Sequence, residues 1–144
     1  MCQHRLLPTA DCSAACEQSF AGRPSQVRDA RALIAQFVEG CPGAGDTILL
    51  ISELCANAIT HSASGQPGGT FTVRIQRCGT TCICAEVEDQ SSGWDGNVGI
   101  AEPPHGLFLL RELSSACGTR RGEEGWITWF TIAGPAGSAQ PPQP

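Results

Sequence analysis

Between residues 46 and 62 the chain carries a helix that is apolar around most of its circumference. Ile48, Leu49, Ile51, Leu54, Cys55, Ala58 and Ile59 leave it almost no solvated face, so it must lie within a layer. Glu53, Asn57 and His61 break this pattern. They are spaced four apart and so share one side of the helix. A largely buried helix with one polar stripe needs something polar opposite that stripe. The Glu53 carboxylate can accept a proton or orient a water, and the Asn57 amide oxygen is a hard ligand suited to Mg²⁺. Spacing alone favours an ordinary solvated face carrying a carboxylate and an amide over this reading.

The flanking segments supply the other layer. Val27, Ala30, Leu33, Ile34, Phe37 and Val38 mark an amphipathic helix over about 25–39, with Ser25 or a neighbour as its cap and Gly40 and Pro42 closing it. Phe71, Val73 and Ile75 alternate with Thr72, Arg74 and Gln76 as in a half-buried strand. A turn at Cys78-Gly79-Thr80 leads to a second strand over 81–88, and 119–121 with 126–132 form another hairpin. Cys16–Ala21 reads as an edge strand, and 106–116 as a third helix. This order predicts an α+β fold: a two-layer sandwich with three helices on one face of a mixed, mainly antiparallel sheet. Residues 1–15 read as a flexible arm, 16–133 as the domain, and 134–144, with four prolines, as a disordered tail.

Length and charge narrow the function. One domain of 144 residues can bury a core without disulfides or metal. A net charge of −5 offers no basic surface for a nucleic-acid backbone, yet a nucleotide can be neutralised by a metal ion and backbone amides. No stretch approaches a membrane span or a signal peptide, so a cytoplasmic protein is expected. Of the nine cysteines, Cys55, Cys82 and Cys84 fall where packing explains them, and no CxxC pair occurs. Cys2, His4, Cys12 and Cys16 match no common zinc spacing, which leaves a thiol or metal sensor as a minor alternative.

Two further segments can carry chemistry. Glu86-Val87-Glu88-Asp89 ends a strand before Gln90-Ser91-Ser92-Gly93. A carboxylate there can accept the exocyclic amine of adenine, or can merely form a turn. At His105-Gly106-Leu107, a glycine at a helix start lets backbone amides approach a phosphate. The 89–105 stretch between them is the longest irregular piece, and a piece of that length is commonly functional.

Taken in order, these segments resemble the GHKL superfamily, the ATP-binding fold of gyrase and the histidine kinases. The small bacterial anti-sigma-factor serine/threonine kinases are the most similar branch. Glu53-Leu54-Cys55-Ala56-Asn57-Ala58-Ile59-Thr60-His61 matches the pattern E-L-x-x-N-A-x-x-H in full. The resemblance implies ATP and Mg²⁺ as ligands, with Asn57 holding the metal and Glu53 the catalytic base. It places Asp89 and Gly93 in the adenine box D-x-G-x-G, and Gly106 and Leu107 in the phosphate box G-x-G-L. His61 and His105 fall beside these as nucleotide-binding candidates. It also implies a small regulatory protein as phosphoryl acceptor (an anti-anti-sigma-type substrate) and a sigma factor as binding partner, and leaves a homodimer open. Two positions depart from the pattern: Ser91 stands at the middle glycine of the adenine box, and Pro104 at the first glycine of the phosphate box. Proline has no N–H and a fixed φ, which favours a second reading, a module that binds ATP or a partner without turnover.

Overall fold

The computed structural model describes residues 12–78, 82–90 and 105–133. In chain order these form β1 (Cys12–Ala21), α1 (Pro24–Phe37), α2 (Ala44–His61), a short 3₁₀ turn (Ala63–Gly65), β2 (Thr70–Cys78), β3 (Cys82–Glu88), α3 (His105–Leu113), β4 (Ala116–Arg121) and β5 (Trp126–Ala133). The strands make one sheet in the order β1-β2-β3-β5-β4, and each of its four pairings is antiparallel. The α+β two-layer reading therefore holds.

Local chemistry explains where the elements start, and corrects three expectations. β1 begins at Cys12 rather than Cys16, because its partner β2 is long enough to pair back to Cys78. Ser25 does not cap α1. Arg23 occupies the cap position without a side-chain bond, and Pro24, with φ already helical, takes the first turn. α2 starts at Ala44, ahead of Asp46, after Gly43 turns the chain at φ 84°. Thr47 Oγ1 donates to the Gly43 carbonyl at 2.9 Å and so closes this first turn. A Cβ at Gly43 would also sit 2.6 Å from the Ile132 Cγ2 methyl, so only glycine fits.

One core joins the two layers. Ala30, Ile34, Leu50, Ile51, Leu54 and Ala58 of the helices meet Phe71, Val73, Ile75, Ile83, Ala85, Val87 and Phe130 of the sheet, and Leu110 of α3 closes it. Phe20 and Phe71 stack across β1 and β2 with centroids 5.5 Å apart. Each such apolar side chain stabilises the fold by about 1.5–3 kcal/mol. Among the described residues, no helix is long and apolar enough to cross a membrane. Of the arm expected over 1–15, residues 1–11 lie outside the described residues and 12–15 belong to β1; the expected tail over 134–144 also lies outside them.

Candidate functional site

The α2 stripe lies on a flank, neither in the core nor in open water. Thr47, Leu50, Ile51, Leu54, Cys55 and Ala58 form the buried side; Glu53 and Asn57 are half-buried beside it, and His61 is exposed. Ala56, Ile59 and Thr60 meet Pro24 and Val27 of α1 along a groove of about 120 Å³. Asn57 is three positions from Thr60, about 60° around the helix, and one from Ala56, about 100°, so it lies between this groove and the buried side. α3 also packs against α2.

Asn57 is the chemically unusual member. Its Nδ2 is buried and has no hydrogen-bond partner among the described residues. Leaving a buried polar group unpaired costs about 1–3 kcal/mol, so a native chain that keeps one has a reason to. A buried N–H donor with no partner among the described residues fits an acceptor supplied by a ligand, such as a phosphate oxygen; a metal would instead be held by the Oδ1 oxygen of the same amide. Mg²⁺ in particular takes one or two protein oxygens and completes its shell with water and phosphate.

The end of β3 supplies the second part. The expected carboxylate run divides between the two faces of the sheet. Ile83, Ala85 and Val87 face the helices, and Asp89 continues that alternation. Its N–H donates to the Trp126 carbonyl at 2.9 Å, while the Trp126 N–H donates to Asp89 Oδ1 at 3.3 Å. Ala63 N–H donates to the Gln90 carbonyl at 3.1 Å, stitching the turn after α2 to the strand end that carries Asp89. His61 and Asp89 are thus brought to the same end of the two layers.

Glu86 and Glu88 point the other way and are only 2% and 3% exposed. Arg74 spans both, with Nη1 to Glu86 and Nη2 to Glu88 at 2.7 Å each, and its Nε reaches Glu17 at 3.0 Å. Arg120 holds the second Glu86 oxygen at 2.9 Å, and the Glu124 N–H donates to the second Glu88 oxygen at 2.8 Å. Partial burial pulls the Arg74 guanidinium pKa down, but its bonds to Glu88, Glu86 and Glu17 outweigh this and raise it. A groove of about 440 Å³ runs beside this lattice. The arrangement ties four strands together and gives every oxygen of Glu86 and Glu88 a partner.

The third part is the start of α3. Gly106 is its second residue, so its N–H is among those without a partner inside the helix. Such amides and the helix dipole favour an anion. Gly93, Ser91, Pro104 and the side chains of His105 and Leu107 lie outside the described residues.

The cysteines behave differently from one another. Cys55 is fully buried, and burial pushes its thiol pKa far above the usual range. Cys84, expected only to pack, is disulfide-bonded. Cys16 is half-buried in β1, and Cys2 and His4 lie outside the described residues. Among the described residues no group of three His, Cys, Asp or Glu could hold a metal ion. Sequence reading missed Arg74, Arg120, Ser64 and Gln90. The first two are invisible without the strand register, whereas Ser62-x-Ser64 just past a helix end is a recognisable turn signal.

The site therefore combines an apolar helix with a polar flank, a strand-end aspartate beside its C-terminus, and a glycine in the first turn of a third helix. A search of curated proteins finds no match to the chain. The family model for the Histidine kinase-like ATPase domain matches residues 20–132, which span every described element except the first strand's opening residues and the last strand's final one. The chain belongs to the histidine kinase-like ATPase family, and its domain is an ATP-binding module.

Proposed function

We propose that the domain is an anti-sigma-factor-type serine/threonine kinase, which passes the γ-phosphoryl group of ATP to a serine on a small regulatory protein and also binds a sigma factor. The observation that carries this reading is the buried Asn57 Nδ2, a donor without a partner among the described residues and so open to a ligand acceptor, one helical turn after Glu53. Asn57 would hold Mg²⁺ through its side-chain oxygen. When bound, that ion neutralises charge on the phosphate oxygens. Asp89 accepts the adenine amine, and the amides around Gly106 hold the phosphates. Glu53 takes the proton of the attacking serine hydroxyl, whose oxygen forms the new bond to phosphorus as the bond to ADP breaks. Catalysis of this kind is mostly positioning and electrostatics. Gly93, His61, His105 and Leu107 complete the proposed nucleotide contacts.

The second reading, an ATP-binding module without turnover, is favoured by Pro104, which offers no N–H where a glycine would. Single-turnover transfer from labelled ATP to a candidate partner separates the two. Glu53→Gln should lower transfer about 10²–10⁴-fold while leaving ATP binding intact. Tight ATP binding by the wild type with no transfer to any partner serine, and no slow hydrolysis, sinks the kinase reading and leaves the module.

A further inference from the structure

Beyond the bonds that Asp89 exchanges with Trp126, the end of β3 is tied in three further directions by one residue, Gln90. The Gln90 N–H donates to Ser64 Oγ at 2.9 Å, and its carbonyl accepts from Ala63 N–H at 3.1 Å. Its side-chain oxygen accepts from Thr70 N–H at 2.9 Å, and its side-chain nitrogen donates to Glu124 at 3.2 Å. Gln90 thereby joins the turn after α2, the start of β2 and the β4–β5 hairpin.

The turn that receives it is itself fixed. Ser64 is fully buried, its N–H donates to Ser62 Oγ at 3.0 Å, and that hydroxyl donates to the Ala58 carbonyl at 2.6 Å. Gly22 and Gly69 close around it; a Cβ at either would overlap the Ser64 carbonyl oxygen. A chain of hydrogen bonds therefore runs from Asp89's neighbour, through Ser64 and Ser62, to Ala58 in α2. It ends one residue from Asn57.

We infer that Gln90 is a positioning residue of the nucleotide site, holding Asp89 at a set separation from Asn57 and so fixing the preference for adenine over guanine. This rests on the reading of Asp89 as the group that meets the base. A nucleotide gripped at its phosphates by one element and at its base by another cannot slide to follow a displaced Asp89. Hydrogen bonds weaken steeply once distance and angle are lost. A Gln90 that served stability alone would, when removed, lower the melting temperature and weaken ATP and GTP in equal ratio.

The experiment is a pair of Mg²⁺-containing titrations, ATP and GTP, on the full chain and three variants, each checked for folding by thermal unfolding. The variants are Gln90→Ala, Asp89→Asn, and the exchange Gln90→Glu with Glu124→Gln. The exchange keeps the acceptor for Thr70 and reverses donor and acceptor toward position 124. Gln90→Ala should weaken ATP about tenfold and GTP less than about twofold, as expected from losing one well-aligned bond to the base. The exchange should bring ATP back to within about threefold of wild type, the remainder being the altered donor geometry. Equal losses for both nucleotides, or no loss for either, overturn the positioning role. If Asp89→Asn still erodes discrimination in that case, the base reading survives alone. If Asp89→Asn leaves the ratio untouched, the base reading fails and the role of Gln90 falls with it.

Discussion

On the face of β3 turned away from the helices, Glu86 and Glu88 are almost fully buried and all four of their carboxylate oxygens have a partner. On the face turned toward the helices, α2 holds Asn57 with a buried amide nitrogen that has none among the described residues. A search for buried charge would choose the first face as the site. A search for unmet hydrogen-bonding capacity chooses the second, and that is the face on which we propose ATP binds. Burial marks where polar chemistry is expensive, but only an unmet group marks where a ligand is awaited. Arg120 Nη1 on the outer face is also buried without a partner, yet its guanidinium already shares its charge with Glu86. The Asn57 amide nitrogen has no such relief.

The contrast can be broken most directly at Arg74. Arg74→Ala removes the cation that bridges two buried carboxylates, a change that typically costs about 3–5 kcal/mol. Chemical unfolding should show a loss of that order, while the folded fraction binds Mg-ATP as tightly as wild type. Adding Glu86→Gln and Glu88→Gln should recover part of the loss, because the uncompensated charges are then gone. A fall in ATP affinity that survives correction for folding would mean the two faces are coupled and the outer lattice belongs to the site.

Asn57→Ala tests the opposite face and should invert the pattern. Unfolding free energy should hold or rise, since the substitution removes a buried donor that has no partner among the described residues, a gain offset in part by the small cavity left. Affinity for ATP in the presence of Mg²⁺ should drop by at least the roughly 10–100-fold that losing an outer-shell partner of a metal costs. ATP affinity in chelator should stay near wild type. Unchanged metal dependence in a folded variant removes Asn57 from the magnesium role.

The part of this contrast that could be read from sequence is the part set by local pattern. The α2 stripe was legible because Glu53, Asn57 and His61 interrupt an apolar helix, and the sheet because Phe71, Val73 and Ile75 alternate. The strand Cys82–Glu88 was legible as a strand, but which of its carboxylates were engaged was not. That depends on register, which sets Arg74 opposite Glu86 and Arg120 opposite Ile127, in reach of the same carboxylate. Helix starts failed for a similar reason. Gly43 opens α2 because Ile132, nearly ninety positions away, leaves no room for a side chain. The disulfide at Cys84 was equally hidden, since strand alternation cannot say which sulfur meets which.

The smallest expected effect concerns sulfur, and it sharpens the same comparison. Cys84 lies on the outer face of β3, disulfide-bonded and with its sulfur 3.6 Å from Thr131 Oγ1, whereas Cys55 lies in the core between the layers. Burial raises the Cys55 thiol pKa, so in the folded state the proton stays on through the alkaline range. In the unfolded chain the thiol ionises at its ordinary value, about 8.5. Above that pH the native state binds more protons than the unfolded state, so stability falls as pH rises; below it, the contribution is fully present. The linkage amounts to about 1–2 kcal/mol at pH 10. Urea unfolding at pH 7.5 and pH 10 should therefore show a steeper alkaline loss for wild type than for Cys55→Ala, although the variant starts lower because it leaves a small cavity. Taking the difference between the two proteins cancels every other titrating group. Equal slopes would mean that Cys55 ionises in the native state, and that water reaches the apolar side of α2 as it does the polar flank.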